Sequence, residues 1–540
     1  MTDVVAAPIP QQDISSRRRR IARRLRQGGW PLSLAVGIVG ALIAFWLRTI
    51  PIVSDPFNYV LAGQTFPQIT WNMIGLTRYG IILPLIPITR LFHDSELTFY
   101  LTPTIATATL LACTHWLTTR FFGRAAGVAA AIMLLACSPV LTFSMRLYPD
   151  IFSASSTALA VTLAVASRDL AQRAERRRFA LPTLLAATGL AVGASWWMRE
   201  TSIFAWPIVA YLLLRRGGPA RRMVLLYTAS TALAMFVLEL VVSQLAFGNW
   251  FARIHALLGV DMAATTNVND LPYLNQSRVT YLLMIPRVLL QQPDGVVMLA
   301  EACVAVLGLI FFRRTVGLFT VWFMSITAFL ILAGGALDPA SPSIRLDLVR
   351  YWMPFLVPMI IAAVGTVSTT LRLAARGLTG WWSETPRRRV GAAAVVIAGF
   401  TLVAALPTAN YVRHDPEFVV TNGGVMNDFR DWAEKNDTKI NVLYTDLATQ
   451  RQLPTYTRSF AGRQLANIAI ERFPADAPPP PGSYVILFSD GQRVCGFCAQ
   501  YIAQFRAAHP HAVAHWIPIW KSPGGTFKVY QVPKRGAAAS

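Results

Sequence analysis

WPLSLAVGIVGALIAFWL (residues 30–47), running straight into RTIPIVSDPFNYVLAGQTF (residues 48–66), decides how the chain is read. The first piece is an unbroken apolar run of roughly 18 residues, enough for a helix to cross the hydrocarbon core of a bilayer. The second is more polar and is marked by Pro51 and Pro56. It places Asp55 a few residues beyond the end of the span. An ionisable side chain there is costly unless it meets water, a partner or a substrate, so Asp55 is the first candidate for a functional residue.

Composition agrees with a chain built in a lipid bilayer. Of 540 residues, 54% are hydrophobic and only 14% charged, where soluble proteins carry about a quarter charged. The net charge of +22 would suggest nucleic acid in a soluble protein. Its distribution argues against that partner. All but five of the 49 basic residues are arginine, and many stand in short clusters between apolar runs, as topology signals do. Residues 1–29 are polar and then strongly basic. With a span-length run after them and no small-residue cleavage site, they read as a retained cytoplasmic tail rather than a signal peptide.

Apolar runs recur at residues 97–119, 125–143, 151–166, 181–198, 202–214, 223–247, 295–312, 316–334, 351–371 and 390–409. With residues 30–47 they predict about eleven spans. Arginine-rich connectors belong on the cytoplasmic side, and those at 120–124, 168–178, 215–222, 313–314 and 372–389 fall on every second connector. The outer side then holds the loop 48–96, the turns at 148–150 and 199–200, the loops 248–294 and 335–350, and everything after Asn410. RYGIILPLIPITRLF (residues 78–92) is shorter than a span and interrupted by Pro84 and Pro87. It reads as a helix lying in or dipping into the outer interface.

The chain thus divides into a basic tail (1–29), a transmembrane catalytic region (30–412) and a small α/β domain outside the membrane (413–540). In the last, residues 425–435, 464–472 and 499–508 read as helical, and 440–444, 484–488, 513–520 and 526–532 as extended.

Four constellations come out on the same face: Asp55; the turn Arg146, Leu147, Tyr148, Pro149, Asp150; the turn Arg199, Glu200, Thr201; and RLDLVRYWMP (residues 345–354) with Arg350 and Tyr351. Two acids and several arginines at one level suit a reaction that deprotonates a nucleophile while holding an anionic phosphate. A carboxylate is a suitable general base, and arginine presents a fixed fork of donors to phosphate oxygens. Each piece has a plainer reading. Asp150 pairs with Arg146 or caps a helix, Arg199 and Glu200 form a local pair, and Arg350 with Tyr351 is an interfacial anchor.

The order of these pieces resembles the C-type glycosyltransferase superfamily. It is most similar to the bacterial branch related to protein O-mannosyltransferases and the lipid A aminoarabinose transferase. The likeness rests on Asp55, on Arg78, Tyr79 and Gly80, on Arg146 with Pro149 and Asp150, on Gly189 and Gly193 ahead of Arg199, Glu200 and Thr201, on Gly248, Asn249 and Trp250, and on Arg350, Tyr351 and Pro354. It implies transfer of a sugar from a polyprenyl-phosphate-linked donor to an envelope acceptor, with inversion, in the bacterial inner membrane with the site facing the periplasm. It also implies Asp55 as catalytic base and Asp150 as its active-site partner. Two departures stand out. Pro56 follows Asp55 where the family often has a second acid, which leaves Asp55 a lone base rather than half of a metal-binding pair. Arg199 stands where the family often has lysine.

No nucleotide-binding loop is present and no cofactor is indicated; a divalent metal stays open. Arg78, Tyr79, Arg146, Arg199, Glu200, His255, Arg350 and Tyr351 are the candidate substrate- and phosphate-binding residues, His255 as a lone histidine in the loop 248–294. Cys495 and Cys498, spaced by two residues in a domain placed in an oxidising compartment, read as a local disulfide ahead of zinc or redox alternatives. The rival function is a transporter or flippase, which would place its charges near the bilayer midplane and show related halves.

Overall fold

The computed structural model describes residues 29–49, 51, 55–69, 77–93, 95–172, 179–257, 273–377, 386–415, 418, 429, 431–436, 439–446, 450, 453, 468–473, 477–488, 503–510, 512–522 and 527–534. Residues 1–28 of the basic tail and the pair Cys495 and Cys498 lie outside them.

The protein is a bundle of apolar helices followed by a small sheet. In chain order the helices are α1 (Trp30–Trp46), α2 (Asp55–Thr65), α3 (Tyr79–Phe92), α4 (Glu96–Phe122), α5 (Arg124–Ala136), α6 (Ser138–Ser144), α7 (Pro149–Ala171), α8 (Ala180–Met198) and α9 (Trp206–Leu214). They continue with α10 (Arg221–Phe247), α11 (Ala252–Leu257), α12 (Arg278–Leu290), α13 (Gly295–Ile331), α14 (Met353–Gly377) and α15 (Pro386–His414). Among the described residues six qualify as spans by length and apolar character, or seven with one bent pair. The predicted count of eleven is not reached on that measure.

Three local causes account for part of the difference, and the run 202–214, which falls in an apolar helix too short to count, for another part. The first run forms a helix of only 17 residues. The run 125–143, expected as one span, is broken at Cys137 into α5 and α6, bent by 70°. Pro139 opens the second piece, and Asp294 accepts from the Ser138 backbone N–H at 2.8 Å, satisfying a donor the break leaves free. The runs 295–312 and 316–334 merge within α13, yet the backbone leaves helical geometry at Phe312 (φ −129°, ψ 35°). The Thr320 hydroxyl donates to the Ala305 carbonyl at 3.0 Å. That bond joins residues on either side of Phe312, so the chain folds back there.

The helices differ in how much of them faces protein. The apolar window of α7 is 83% buried and that of the segment containing α14 is 78%, against 17% for α10. The first two therefore form the centre, and α10 lies on the outside, its side chains free to meet lipid. Small residues explain how α7 fits its place: Ser153, Ala154, Ser155, Ser156 and Ala158 are all buried and let neighbouring backbones approach. The same logic seats α10 on α8. A Cβ on Gly189 would collide with the Thr228 carbonyl and the Thr231 hydroxyl, and one on Gly193 would lie 2.5 Å from the Met235 Cβ.

The carboxy-terminal sheet has the order β2-β1-β3-β5-β4, from β1 (Val442–Thr445), β2 (Ala469–Arg472), β3 (Tyr484–Phe488), β4 (Ile517–Lys521) and β5 (Phe527–Gln531). The β1 strand pairs in parallel with β2 and β3; β5 runs antiparallel to β3 and β4. Alternate residues pack on opposite faces, Leu443, Ile486, Phe527 and Val529 on one and Val485 and Leu487 on the other. One expectation fails here: residues 464–472 read as helical, but their last four form β2. Pairing with β1 decides it, matching Val442 to Ala469 and Thr445 to Arg472. Long-range ladder bonds override the local pattern. An isolated antiparallel bridge joins Thr49, just past α1, to Phe418, where the chain leaves the bundle.

Candidate active site

Asp55 opens α2 and stands in its first turn. Its Oδ2 lies 3.7 Å from the Arg350 Nη1, with 35% of the Asp55 side chain and 20% of that of Arg350 exposed. Arg350 belongs to the single 3-10 turn Val349–Trp352 that leads into α14. Its guanidinium also lies over the Tyr148 ring at 4.5 Å and the Tyr351 ring at 5.2 Å. The other face of the network meets the same tyrosine: Arg199 sits over Tyr351 at 4.0 Å. Arg199 is ion-paired with Asp150, and both side chains are enclosed, 5% and 1% exposed. The second oxygen of Asp150 has no hydrogen-bond partner among the described residues.

Arg78 carries the network to the other side. It donates to the Tyr59 hydroxyl at 2.8 Å and lies 3.9 Å from Glu200. Its position depends on Gly80, since a Cβ there would sit 2.5 Å from the Met198 sulfur and 3.2 Å from the Trp197 carbonyl carbon. The start of α3 therefore abuts the end of α8, two residues before Glu200. Glu200 in turn faces Arg253 at 3.3 Å, and Arg253 meets Glu239 of α10 at 3.1 Å. The Trp196 indole donates to Glu239 at 2.5 Å, while Arg253 donates to the Trp196 carbonyl at 2.6 Å.

Electrostatics follow from this spacing. Burial alone would push the Glu200 carboxyl up, but the guanidiniums of Arg78, Arg199 and Arg253 outweigh it and hold it down at about 2. Burial opposes the charge on Arg78, and Tyr59 and Glu200 more than restore it. The Tyr59 phenol is pushed up by burial, against the pull of Arg78.

Of the twelve sequence candidates, Asp55, Asp150, Arg78, Arg199, Glu200, Arg350 and Tyr351 join one connected network. Asp150 pairs with Arg199, not with Arg146. Glu200 reaches Arg78 and Arg253 in preference to a local pair with Arg199. Three others lie to its side. Arg146 donates to the Thr49 hydroxyl at 2.8 Å and lies over Phe143 at 5.2 Å. Tyr79 bonds Ser243 at 2.8 Å and packs against Trp197. His255 bonds Asn249 at 2.9 Å. Cys495 and Cys498 lie outside the described residues.

Four members were not singled out from sequence: Tyr59, Trp196, Arg253 and Glu239. Glu239 had a usable signal, a lone acid in the middle of the run 223–247, since an ionisable residue inside a span marks function or a partner. Nothing local announces Tyr59.

No protein-family model matches the chain, and no curated protein does either. Among solved structures it is similar to ArnT from Cupriavidus metallidurans bound to undecaprenyl phosphate, with a TM-score of 0.52 and 14% identity over 95% of this chain and 99% of that one. The chain shares the fold of that structure. Two further glycosyl-transferring proteins are similar at lower scores. The Archaeoglobus fulgidus oligosaccharyltransferase in its apo form is 12% identical over 94% of this chain and 75% of its own, with a TM-score of 0.46. The arabinofuranosyltransferase AftD from Mycobacteria is 14% identical over 93% and 40%, with a TM-score of 0.41. Likenesses that weak add nothing to the assignment. At 14% identity a shared fold is what the likeness to ArnT establishes; the chemistry has to be argued from this chain's own side chains.

Proposed function

We propose that the protein is an integral membrane glycosyltransferase that moves a sugar from a polyprenyl-phosphate carrier to an envelope acceptor. The observation that carries the reading is the half-exposed Asp55 carboxylate, 3.7 Å from Arg350, at the edge of a cluster that also holds Arg78 and Arg199. It is the chemistry of a base beside an anion site. The similar ArnT structure is bound to undecaprenyl phosphate, which fits a lipid phosphate as the carrier.

In this reading the acceptor hydroxyl or amine attacks C1 of the sugar from the face opposite the phosphate. Asp55 takes the acceptor proton, the bond from C1 to the phosphate oxygen breaks, and the lipid phosphate leaves with the electron pair. The configuration at C1 inverts. Positive charge fixed in an enclosed site favours the charge that develops on the leaving group. Arg350 and Arg78 have the openness to touch the phosphate, their side chains being 20% and 10% exposed. Arg199, enclosed with Asp150, contributes through its field and by holding Tyr351. Asp150 then acts as the anchor of Arg199 rather than as a proton carrier. The alternation of arginine-rich connectors supports a periplasmic position for this end of the bundle.

The test is transfer of radiolabelled sugar from a polyprenyl-phosphate donor by the purified protein. Covalent product that needs Asp55 supports the reading. Uptake of the labelled compound into liposomes without any covalent product would favour a transporter instead.

A further inference from the structure

Glu200 is the odd member of the site. Among the described residues the network's five ion pairs join four arginines (78, 199, 253 and 350) to four carboxylates (55, 150, 200 and 239). The formal charges of these eight side chains cancel, and an arriving phosphate has to displace a resident anion from its partner. The four carboxylates are not equally held. Asp150 and Glu239 are enclosed at 1% and 4% side-chain exposure. Asp55 is taken up by the proton chemistry. Glu200, 24% exposed, shares its charge between Arg253 at 3.3 Å and Arg78 at 3.9 Å.

The two arginines that flank Glu200 are fixed from behind. Arg253 is held by Glu239, by the Trp196 carbonyl and by the Trp196 ring at 4.7 Å. Arg78 is held by the Tyr59 hydroxyl at 2.8 Å. Glu200 can therefore give up its longer contact and keep its shorter one, and Arg78 stays in place to receive another anion. We propose that Glu200 is a resident anion that competes with the lipid-linked phosphate for Arg78, and that Arg253 is the arm that receives Glu200 when it is displaced. This rests on the transferase reading and adds a role in product release. The donor, a phosphodiester, carries one negative charge at the phosphate. The released monoester carries up to about two, its second pKa lying near 6. An unopposed set of arginines would trap that product; a competing carboxylate loosens it.

The idea makes a prediction opposite in sign to that of a structural or ligand role for Glu200. In detergent-solubilised full-length protein, titration with farnesyl monophosphate should give tighter binding for Glu200→Gln than for the parent. The expected gain is about fivefold, the worth of one partly exposed ion pair. Glu200→Asp keeps the charge for Arg253 but withdraws it from Arg78, and should fall between the two. In turnover, Glu200→Gln should lower the KM for donor while product inhibition by the monoester becomes stronger. Unchanged or weaker binding in both variants, with the parent binding normally, overturns the competition and leaves the transferase reading standing. A parent that does not bind farnesyl monophosphate at all removes both.

Discussion

The Asp55 carboxylate and the Arg350 guanidinium stand 3.7 Å apart, joining the first turn of α2 to the 3-10 turn that starts α14. The pair is loose and open to solvent, unlike the enclosed Asp150 and Arg199 behind it. An acid held at that distance keeps a lone pair available for an incoming hydroxyl, while the arginine keeps it oriented. Asp55→Asn preserves the shape and removes the proposed base. Sugar transfer should fall by at least about 100-fold, with lipid-phosphate binding retained. Normal turnover by a well-folded Asp55→Asn protein would take the role away from Asp55.

The Asp150–Arg199 pair carries a different expectation. Both side chains are enclosed, so removing one strands an uncompensated charge, at a cost of about 3–5 kcal/mol. Asp150→Ala should lower the thermal unfolding midpoint sharply in detergent. The double substitution Asp150→Leu with Arg199→Met should recover most of that stability and none of the activity, because the field on the phosphate and the packing on Tyr351 are gone. Recovery of activity in the double variant would exclude Arg199 from the phosphate site.

Glu200 gives the pH dependence. Its folded value of about 2 lies below that of a free glutamate, near 4.3. A depressed carboxyl contributes stability that is fully present above the unfolded value and lost as pH falls through the folded one. The unfolding midpoint should therefore lose stability from this group between about pH 4.3 and 2, and Glu200→Gln should make that acid-side decline shallower. An identical decline in the variant would assign the acid sensitivity to other carboxylates.

Much of this site was legible because membrane chains write their constraints in two simple codes. Hydrocarbon demands long apolar runs, and charge is tolerated only at special places, so Asp55, Asp150, Arg199 and Arg350 stood out against their surroundings. Pairing was not legible, because it depends on which helix faces which. Arg199 reaches Asp150 across two helices, and Arg253 reaches Glu239 through a short helix whose sequence looks like loop. The strand β2 was missed for a related reason: its four residues fit a helix in isolation and become extended only beside β1. The fold-back at Phe312 shows the opposite case. Arginines at 313 and 314 marked the reversal in the sequence, where helix length alone would merge the two runs.

The contact of α8 with α10 is far from Asp55 in sequence, yet it sets where Glu239 lies and through it Arg253 and Glu200. A methyl group on Gly189 would meet the Thr228 backbone carbonyl and the Thr231 hydroxyl, and a backbone atom cannot swing aside as a side-chain tip does. Gly189→Ala should therefore push the helices apart and cost about 1–3 kcal/mol of stability. It should also raise the KM for donor, because Glu239 withdraws from Trp196 and Arg253 loses its rear support. Gly399 in α15 is the matched control, since a Cβ there has no heavy atom within 4 Å and alanine is the better helix former. Gly399→Ala should leave the KM unchanged and the unfolding midpoint equal or slightly higher. Equal behaviour of the two variants in both measurements would mean that close packing of α8 on α10 does not position the site.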